Sequence, residues 1–377
     1  MMFFYGLFLL IFTFFSYLFI DQNLLYLKKL YTGFAFLERI TTTEIFVGSV
    51  FLFFIFYGVF LYKTHKQKLN IKNVKILIGL TSVILFFSYP AVLSYDIFNY
   101  ITTAKVLFFY HENPYIIMPV EFIGDPYLLF THAANKIALY GPAWTVLTGL
   151  PYLLGFGNFF IILFNFKLLM AFFYMAISYL IFKMTKNLLA VVFFSLNPLI
   201  IIETLVSSHN DIVMMFLSLL SFYLLTKKRI WLAILFFALS ILIKYATLFL
   251  LPIFAFMLWK YINRQKINSE RIYMISFLSM ILIFFLSAFR EEIYPWYGIW
   301  FLTFSSLILK KKIIVYLSVA LSLGLLMRYI PFMYLGTYFG PTPLIKIILM
   351  WVPVVISALF IIALRNKKLK QIFFKFK

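Results

Sequence analysis

The chain has 377 residues, of which 64% are hydrophobic and only 12% are charged, and its net charge is +21. A soluble domain carries about 25% charged residues, so this composition excludes a soluble globular protein. The positive charge does not indicate nucleic-acid binding, because the basic residues lie in short clusters between long apolar runs, where membrane topology signals lie. The chain has no cysteine, which excludes disulfides and thiol chemistry.

The apolar runs are continuous over roughly 15–20 residues and do not alternate with polar residues, which favours helices over a β-barrel. We therefore predict an all-α polytopic membrane protein with about 12 transmembrane helices. The expected spans are Met2–Ile20, a second span that ends at Tyr62, Ile76–Leu93, Asn158–Phe182, Leu188–Val206, Ile212–Leu225, Ile230–Ile243, Ala246–Trp259, Ile272–Phe289, Gly298–Leu309, Ile313–Ile330 and Leu344–Leu364. The first run lacks a basic n-region and a cleavage site, so we expect a retained span and not a signal peptide.

The distribution of lysine and arginine along the chain predicts its orientation in the membrane. The segment after the second span, KTHKQKLNIKNVK, contains five lysines and no acid, which predicts a cytoplasmic loop. Both termini then lie inside. Of the 33 Lys and Arg residues, ten lie outside or within spans in this arrangement, which leaves 23 in the segments assigned to the cytoplasm. We predict one integral-membrane domain over 1–377: three spans in 1–93, an extracytoplasmic catalytic loop in 94–157, the remaining spans in 158–364 and a basic tail in 365–377.

The loop is the most polar long segment of the chain. Within it, the apolar stretch Ala143–Leu154 is too short to cross about 30 Å of hydrocarbon and is interpreted as an interfacial or re-entrant helix. Asp96 lies at the entrance of the loop and could accept a proton as a general base. The alternative role for Asp96 is a helix N-cap. Glu112 and Asp125 are candidates for a second acid.

Further polar residues map to the same outer boundary. A His209-Asn210-Asp211 turn could hold sugar hydroxyls, or could simply be an Asx turn that caps the next helix. Three cations, Lys244, Arg290 and Arg328, could bind a phosphate, although each alone could snorkel to lipid headgroups. Trp296 could stack on a sugar or anchor the chain at the membrane interface. Glu203 is an acid near the end of a span and a candidate with less support. His and Asp here lack recognisable metal-ligand spacing, so no metal site is predicted, although the acids present are compatible with a divalent metal.

Four patches in this order resemble the glycosyltransferase C (GT-C) superfamily. They are SYDIFNYITTAKVLFFYHENPY with the later LYGPAW, then NPLIIIETLVSSHND, then IKYATLFLLP, and last YPWY. Within the superfamily the patches are most similar to bacterial polyprenol-phosphomannose-dependent mannosyltransferases. The resemblance covers roughly 94–300.

This resemblance implies a membrane enzyme that moves a sugar, with mannose first, from a polyprenyl phosphate to a lipid-linked or cell-surface glycan outside the cytoplasm. The family's catalytic acid matches Asp96, and inversion is implied. The residues expected to bind sugar or acceptor are Asn99, Tyr100, Asn113, Tyr115, Tyr140, His209, Asn210, Asp211 and Trp296. No cofactor is expected. The partners are the lipid-linked donor, the acceptor and membrane lipids, and the location is the plasma membrane. Alternatives are a different sugar, a transporter or flippase for a lipid-linked glycan, or a structural membrane subunit.

Overall fold

The structure is a computed structural model, and it describes residues 1–17, 38–90, 93–289 and 292–365. Every regular element in these ranges is helical, and none of the described residues forms a strand. The α-helices are α1 (Met2–Ser16), α2 (Arg39–His65), α3 (Ile71–Phe86), α4 (Asp96–Phe108), α5 (Pro142–Leu147), α6 (Gly149–Leu153), α7 (Phe159–Thr185), α8 (Leu188–Ser195), α9 (Pro198–Ile201), α10 (Asp211–Thr226), α11 (Ile230–Ile243), α12 (Leu251–Ile262), α13 (Ser269–Leu286), α14 (Gly298–Ser305), α15 (Lys312–Met327), α16 (Ile330–Leu335) and α17 (Thr342–Arg365). The all-α class is confirmed.

Six helical segments of the described chain are long and apolar enough to cross a membrane. They are Arg39–His65, Phe159–Thr185, Tyr245–Ile262, Ser269–Phe289, Lys312–Leu335 and Thr342–Ala363. A bent pair, α8 with Pro198–Val206, would make a seventh, and α1, α10 and α11 are shorter apolar helices. The predicted count of about 12 spans is therefore not confirmed. Two further predicted spans also fall short of the criterion: Ile76–Leu93 corresponds to the 16-residue α3, and Gly298–Leu309 to the eight-residue α14.

The break between α8 and α9 has a local cause. Pro198 is the first residue of α9, and the side chain of Asn197 accepts a hydrogen bond from the backbone N–H of Leu199, so this pair starts a new helix. The two halves meet at 58°. The second half then widens into a π-helical turn at Ile202–Val206, a geometry that occurs often at functional sites.

The helices differ strongly in burial. Most of α10 is buried, and α10 packs against α7, α11 and α14. By contrast, α17 is peripheral, since only 11% of its most apolar window is buried. Its exposed side chains suit lipid contact.

No candidate span falls within 94–157 of the described chain. The predicted single helix Ala143–Leu154 is instead two short helices, α5 and α6. The segment is held by its own polar contacts: the Tyr115 hydroxyl donates to the Tyr140 carbonyl at 2.9 Å, and Lys105 Nζ lies 2.8 Å from Asp125 Oδ1. The side of the membrane on which it lies stays a prediction.

Candidate active site

Asp96 is the first residue of α4, which begins after a break from α3 and does not directly continue a span. The Ser94 hydroxyl accepts a weak hydrogen bond from the Asp96 backbone N–H at 3.4 Å. The following residues Ile97, Phe98 and Tyr100 are buried and fix α4 against the bundle. The Asp96 side chain keeps 23% of its surface exposed, so it can receive a molecule from outside.

A second segment approaches Asp96 from the π-helical turn. The backbone N–H of His209 donates to the Glu203 carbonyl at 2.9 Å, so the chain folds back on itself. Ser208 has a φ of +61°, an uncommon conformation for a residue other than glycine. The backbone N–H of Asn210 donates to the Tyr100 hydroxyl at 3.2 Å, which joins this turn to α4. Strained backbone of this kind often accompanies a functional site.

His209 lies between two carboxylates. Its Nδ1 is 3.4 Å from Asp96 Oδ2, and its Nε2 is 3.3 Å from Glu203 Oε2. Both distances suit ion pairs and exceed those of ideal hydrogen bonds. The Glu203 Oε1 accepts a hydrogen bond from the Tyr329 hydroxyl at 3.0 Å. The four side chains therefore form a chain of contacts that starts at the partly exposed Asp96 and ends in the protein interior.

Asp96 and His209, which both lie outside the candidate spans, stabilise each other in their charged forms. Burial alone would lower the pKa of His209, but the two carboxylates, Asp96 and Glu203, raise it to about 9. Burial alone would raise the pKa of Asp96, but His209 and the charge of Lys244 outweigh it and lower that pKa below its ordinary value. At neutral pH His209 is therefore a cation and Asp96 a carboxylate that can accept a proton.

An aromatic stack covers the imidazole. The Trp296 ring stacks on His209 with centroids 3.9 Å apart, and Tyr294 stacks on Trp296 at 4.5 Å. An indole face attracts a cation, so this stack favours the protonated imidazole. The contact places Trp296 against His209, the residue that contacts Asp96.

Asp211, the first residue of α10, is fully buried and paired. Lys244 Nζ lies 3.1 and 3.0 Å from its two carboxylate oxygens, and the Trp300 indole N–H donates to Oδ1. Lys244 also lies over the Tyr297 ring, 4.9 Å from its centroid. The positive charge of Lys244 is thus largely compensated by Asp211 inside the protein.

A second charged cluster surrounds Glu292. Arg328 Nη2 lies 2.6 Å and Lys346 Nζ 3.0 Å from the same oxygen, Glu292 Oε1. Arg328 is only 5% exposed, and its Nε is buried without a hydrogen-bond partner. Since two cations share one carboxylate, this cluster has a formal charge of +1. The inner cluster has three carboxylates (Asp96, Glu203, Asp211) and two cations (His209, Lys244), and its formal charge is −1.

Several buried polar atoms near His209 lack a protein partner. They are Thr204 Oγ1, Ser207 Oγ, Ser208 Oγ and both amide atoms of Asn210. Buried polar groups normally find partners, so their concentration here indicates water or a bound hydroxyl-rich molecule.

The comparison with protein families supports this interpretation. Residues 6–260 match the family described as alpha-(1->6)-mannopyranosyltransferase, N-terminal domain, which is of the GT-C type. The match covers more than half of the chain.

The chain belongs to this mannosyltransferase family.

The resemblance to the GT-C superfamily is thus confirmed, and membership supports mannosyl transfer as the activity. No curated protein and no solved structure matches. Asp96, Glu203, His209, Asp211 and Lys244 lie within the matched range, whereas Trp296 and Arg328 lie beyond it.

Two other predicted site residues, Tyr100 and Tyr140, lie near Asp96. Tyr100 meets Tyr140 edge to face at 4.7 Å, and burial and the charge of Asp96 raise the pKa of Tyr140. Asn99 accepts a hydrogen bond from the backbone N–H of Ala133 at 3.3 Å, and this bond holds the loop against α4.

Four predicted residues lie in other surroundings. Glu112 and Asn113 are exposed, and Asn113 accepts the backbone N–H of Tyr115 in a turn. The hydroxyl of Tyr115 joins Tyr140 and Thr145 within the loop. Asp125 is held by Lys105 and Tyr110 and caps a 3₁₀ turn through the Tyr127 N–H. These contacts stabilise the loop, and a role for any of them in chemistry stays a prediction. Arg290 lies outside the described residues.

The structure adds residues that sequence reasoning missed or ranked low. Glu203, ranked low, contacts His209 directly. Tyr329, Trp300 and Lys346 were missed, because tyrosine, tryptophan and lysine near span ends normally anchor a helix at the interface. The signal that singled out Glu203 was its charge within an apolar run. No group of three acidic or histidine side chains suited to a metal occurs in the described part of the chain, and metal dependence stays untested.

Proposed function

We propose that this protein transfers a mannosyl residue from a polyprenyl-phosphate donor to a hydroxyl of a lipid-linked or cell-surface glycan, on the extracytoplasmic side of the plasma membrane. The observation that carries the proposal is the position of Asp96. It is the partly exposed end of an otherwise buried ion-pair chain, beside polar atoms that lack partners. Family membership supplies the sugar class.

Asp96 acts as the general base. One carboxylate oxygen takes the proton of the acceptor hydroxyl as that oxygen forms a bond to the anomeric carbon of the donor. The bond from this carbon to the phosphate oxygen breaks, and the phosphate leaves with the electron pair. In-line attack inverts the anomeric configuration, so an alpha-linked product, as in the family's description, requires a beta-linked donor.

His209 acts through Asp96 as a positioning residue. Its positive charge keeps Asp96 ionised inside a largely buried site, and Glu203 and the Trp296 ring hold the imidazole in place. Lys244 contributes charge to Asp96 but is bound by Asp211, so its role is also positioning.

The leaving phosphate needs cationic donors where its charge develops. Of the predicted phosphate ligands described, Arg328 suits this role better than Lys244, because the cluster of Arg328, Lys346 and Glu292 has a surplus positive charge. The unpartnered atoms of Thr204, Ser207, Ser208 and Asn210 would hold sugar hydroxyls.

The extracytoplasmic placement follows from the charge asymmetry. In the predicted topology 23 Lys and Arg residues fall in segments assigned to the cytoplasm, and the segments that carry Asp96, His209 and Arg328 fall on the other side. A lipid-linked donor would reach this side from within the membrane.

The test is sugar transfer in membranes supplied with labelled polyprenyl-phosphate mannose and an acceptor extract. We expect Asp96→Asn to lose about 100-fold or more of the transfer rate at unchanged expression. The matched control is Glu121→Gln, which neutralises an exposed acid of the same loop and should keep the wild-type rate. Transfer by Asp96→Asn near the wild-type rate would remove Asp96 as the base.

The same assay separates an enzyme from a flippase. A transporter of this size is expected to carry paired broken helices in two halves. The described residues contain one bent pair. Movement of a lipid-linked glycan across vesicles by both wild type and Asp96→Asn, without transfer by either, would favour the flippase.

A further inference from the structure

Four helices, α2, α7, α10 and α12, begin near the candidate site and end on the opposite side of the protein. α10 begins at Asp211, and the 3₁₀ turn that leads into α12 follows Lys244. The ring of Phe159, the first residue of α7, stacks on a phenylalanine of α4, the helix that carries Asp96. In the first part of α2, Phe46 meets the Tyr329 ring. The other ends of these four helices therefore share one face, which we call the distal face.

The distal face is strongly positive. The segments at and beside the helix ends there are 63–75, 183–187, 226–230, 260–271 and 310–312, and they hold 17 Lys and Arg residues. The only acid in these segments is Glu270, which lies 3.8 Å from Lys311. All of the 17 cations except Lys63 and Lys260 are exposed. A surface with this surplus of one charge attracts anions.

The turns of the distal face carry cations where the backbone would favour glycine. Each of the four helices is followed by a residue in the left-handed conformation: Gln67 (φ +55°), Lys186 (φ +53°), Lys228 (φ +62°) and Arg264 (φ +54°). After α2, α10 and α12 the next backbone N–H bonds to a carbonyl five residues earlier, as in a Schellman motif. Glycine is the usual residue at this position, because it adopts a positive φ without steric cost. Three of the four residues are cationic, so charge is present here in spite of the backbone.

The ends of α7 and α10 bring cations of two packed helices together. Lys183 Nζ lies over the Tyr179 ring, 5.1 Å from its centroid, and Lys227 Nζ lies over the Tyr223 ring at 5.5 Å. Lys183 also interacts electrostatically with Tyr223. No carboxylate of the described residues pairs with the five cations at these two ends, which are Lys183, Lys186, Lys227, Lys228 and Arg229. Neighbouring like charges of this kind are stabilised by an anion that binds between them.

An apolar surface leads up to these cations. Leu168, Phe172, Met175 and Tyr179 of α7 are all exposed large apolar or aromatic side chains. Their spacing of three or four residues puts them on one face of the helix, and Lys183 continues the same row. An apolar row that ends in cations matches a phospholipid, whose acyl chains are apolar and whose phosphate is at one end.

We propose that the distal face binds anionic phospholipids. The lipid phosphates contact the cations at the helix ends, above all those of α7 and α10, and the acyl chains lie against the apolar row of α7. In the predicted topology the distal face is cytoplasmic, and the cytoplasmic leaflet has a negative surface potential. This binding is independent of the reaction proposed for Asp96.

The test is thermal unfolding of the full chain in a neutral detergent with added phosphatidylglycerol or phosphatidylcholine. Phosphatidylglycerol should raise the unfolding temperature, because a ligand of the folded state stabilises it, and phosphatidylcholine should not. Added salt should weaken the effect, since it screens exposed charges. Inorganic phosphate is the control for the anion alone, and stabilisation by phosphate equal to that by the lipid would reject a lipid site.

The decisive variant combines Lys186→Gly, Lys228→Gly and Arg264→Gly. Without lipid it should unfold no earlier than the wild type, because glycine suits the left-handed backbone of all three positions. Its apparent affinity for phosphatidylglycerol should nevertheless be about 100-fold weaker, since each Lys or Arg near a charged lipid surface contributes about five-fold. The matched control is Gln67→Gly, which gives the same backbone relief without loss of charge and should keep the wild-type affinity.

Equal stabilisation by the two lipids, or a triple variant that keeps the wild-type affinity for phosphatidylglycerol, would overturn the proposal. A wild type that is stabilised by polyglutamate and not by phosphatidylglycerol would overturn it in favour of an acidic protein partner.

Discussion

His209 is fully buried between Asp96 and Glu203, and its charge controls the protonation of the base. In His209→Gln the cation is lost while Asp96 stays largely buried, so the pKa of Asp96 should rise. Transfer needs the ionised carboxylate, and the acid limb of the pH profile should therefore move to higher pH. The measurement is kcat/KM as a function of pH for the wild type and His209→Gln.

A second prediction concerns the stability of the protein at alkaline pH. The pKa of His209 is about 9 in the folded protein, above its ordinary value of about 6.5. A raised folded pKa stabilises the protein fully below about pH 6.5, and the stabilisation is lost as pH rises through about 9. The unfolding temperature of the wild type should fall there, and that of His209→Gln should fall less. The exposed His65→Gln is the control, and an unshifted profile in His209→Gln would contradict the role of the imidazole.

The Asp211–Lys244 pair makes a stability prediction. Lys244→Met would leave the fully buried Asp211 without its cation, and removing one partner of a buried pair costs about 3–5 kcal/mol. The double variant Asp211→Asn with Lys244→Met removes both charges and should recover most of this loss. Thermal unfolding in detergent measures it. If the single and double variants were equally unstable, the ion pair would not be the cause.

At the scale of elements, α15 and α17 approach each other closely at Gly324. A Cβ there would lie 2.1 Å from the Met350 carbonyl oxygen. Such a contact between transmembrane helices is possible only with a small residue. The approach matters for the site, because α15 ends next to Arg328 and α17 carries Lys346.

Gly324→Ala should therefore push α17 away and destabilise the protein by about 1–3 kcal/mol. The matched control is Gly58→Ala in α2, where a Cβ would meet nothing within 4 Å. Because alanine favours helix more than glycine does, the control should be neutral or slightly more stable. Unfolding temperatures in detergent give the comparison, and equal temperatures for the two variants would show that the helices are not in close contact.

At the scale of the whole molecule, the proposed placement of the site can be tested by labelling, since the chain has no cysteine. Ile123→Cys places a thiol in the loop at a position that is 96% exposed, and Gln265→Cys places one in an exposed loop on the opposite, cytoplasmic side of the predicted topology. A membrane-impermeant maleimide should label Ile123→Cys in intact cells and Gln265→Cys only after permeabilisation. The reverse pattern would invert the orientation and place the site in the cytoplasm.

Several site features could be predicted because they break a local pattern. Asp96 and the His209-Asn210-Asp211 turn are polar residues between long apolar runs, and a membrane makes such residues costly. The side chains that these residues contact could not be predicted in the same way. Lys244 was expected to bind phosphate, yet the fold pairs it with Asp211, a residue 33 positions earlier in the chain.

The sequence by itself determined that this protein is an all-helical membrane protein, because its composition leaves too little charge for a soluble fold and its apolar runs are continuous. The order of its motifs determined the family. Only the tertiary structure decided that His209 joins Asp96 to Glu203, that Lys346 shares Glu292 with Arg328, and that α10 lies buried at the centre. These contacts join distant segments, and local hydropathy carries no information about which helix faces which.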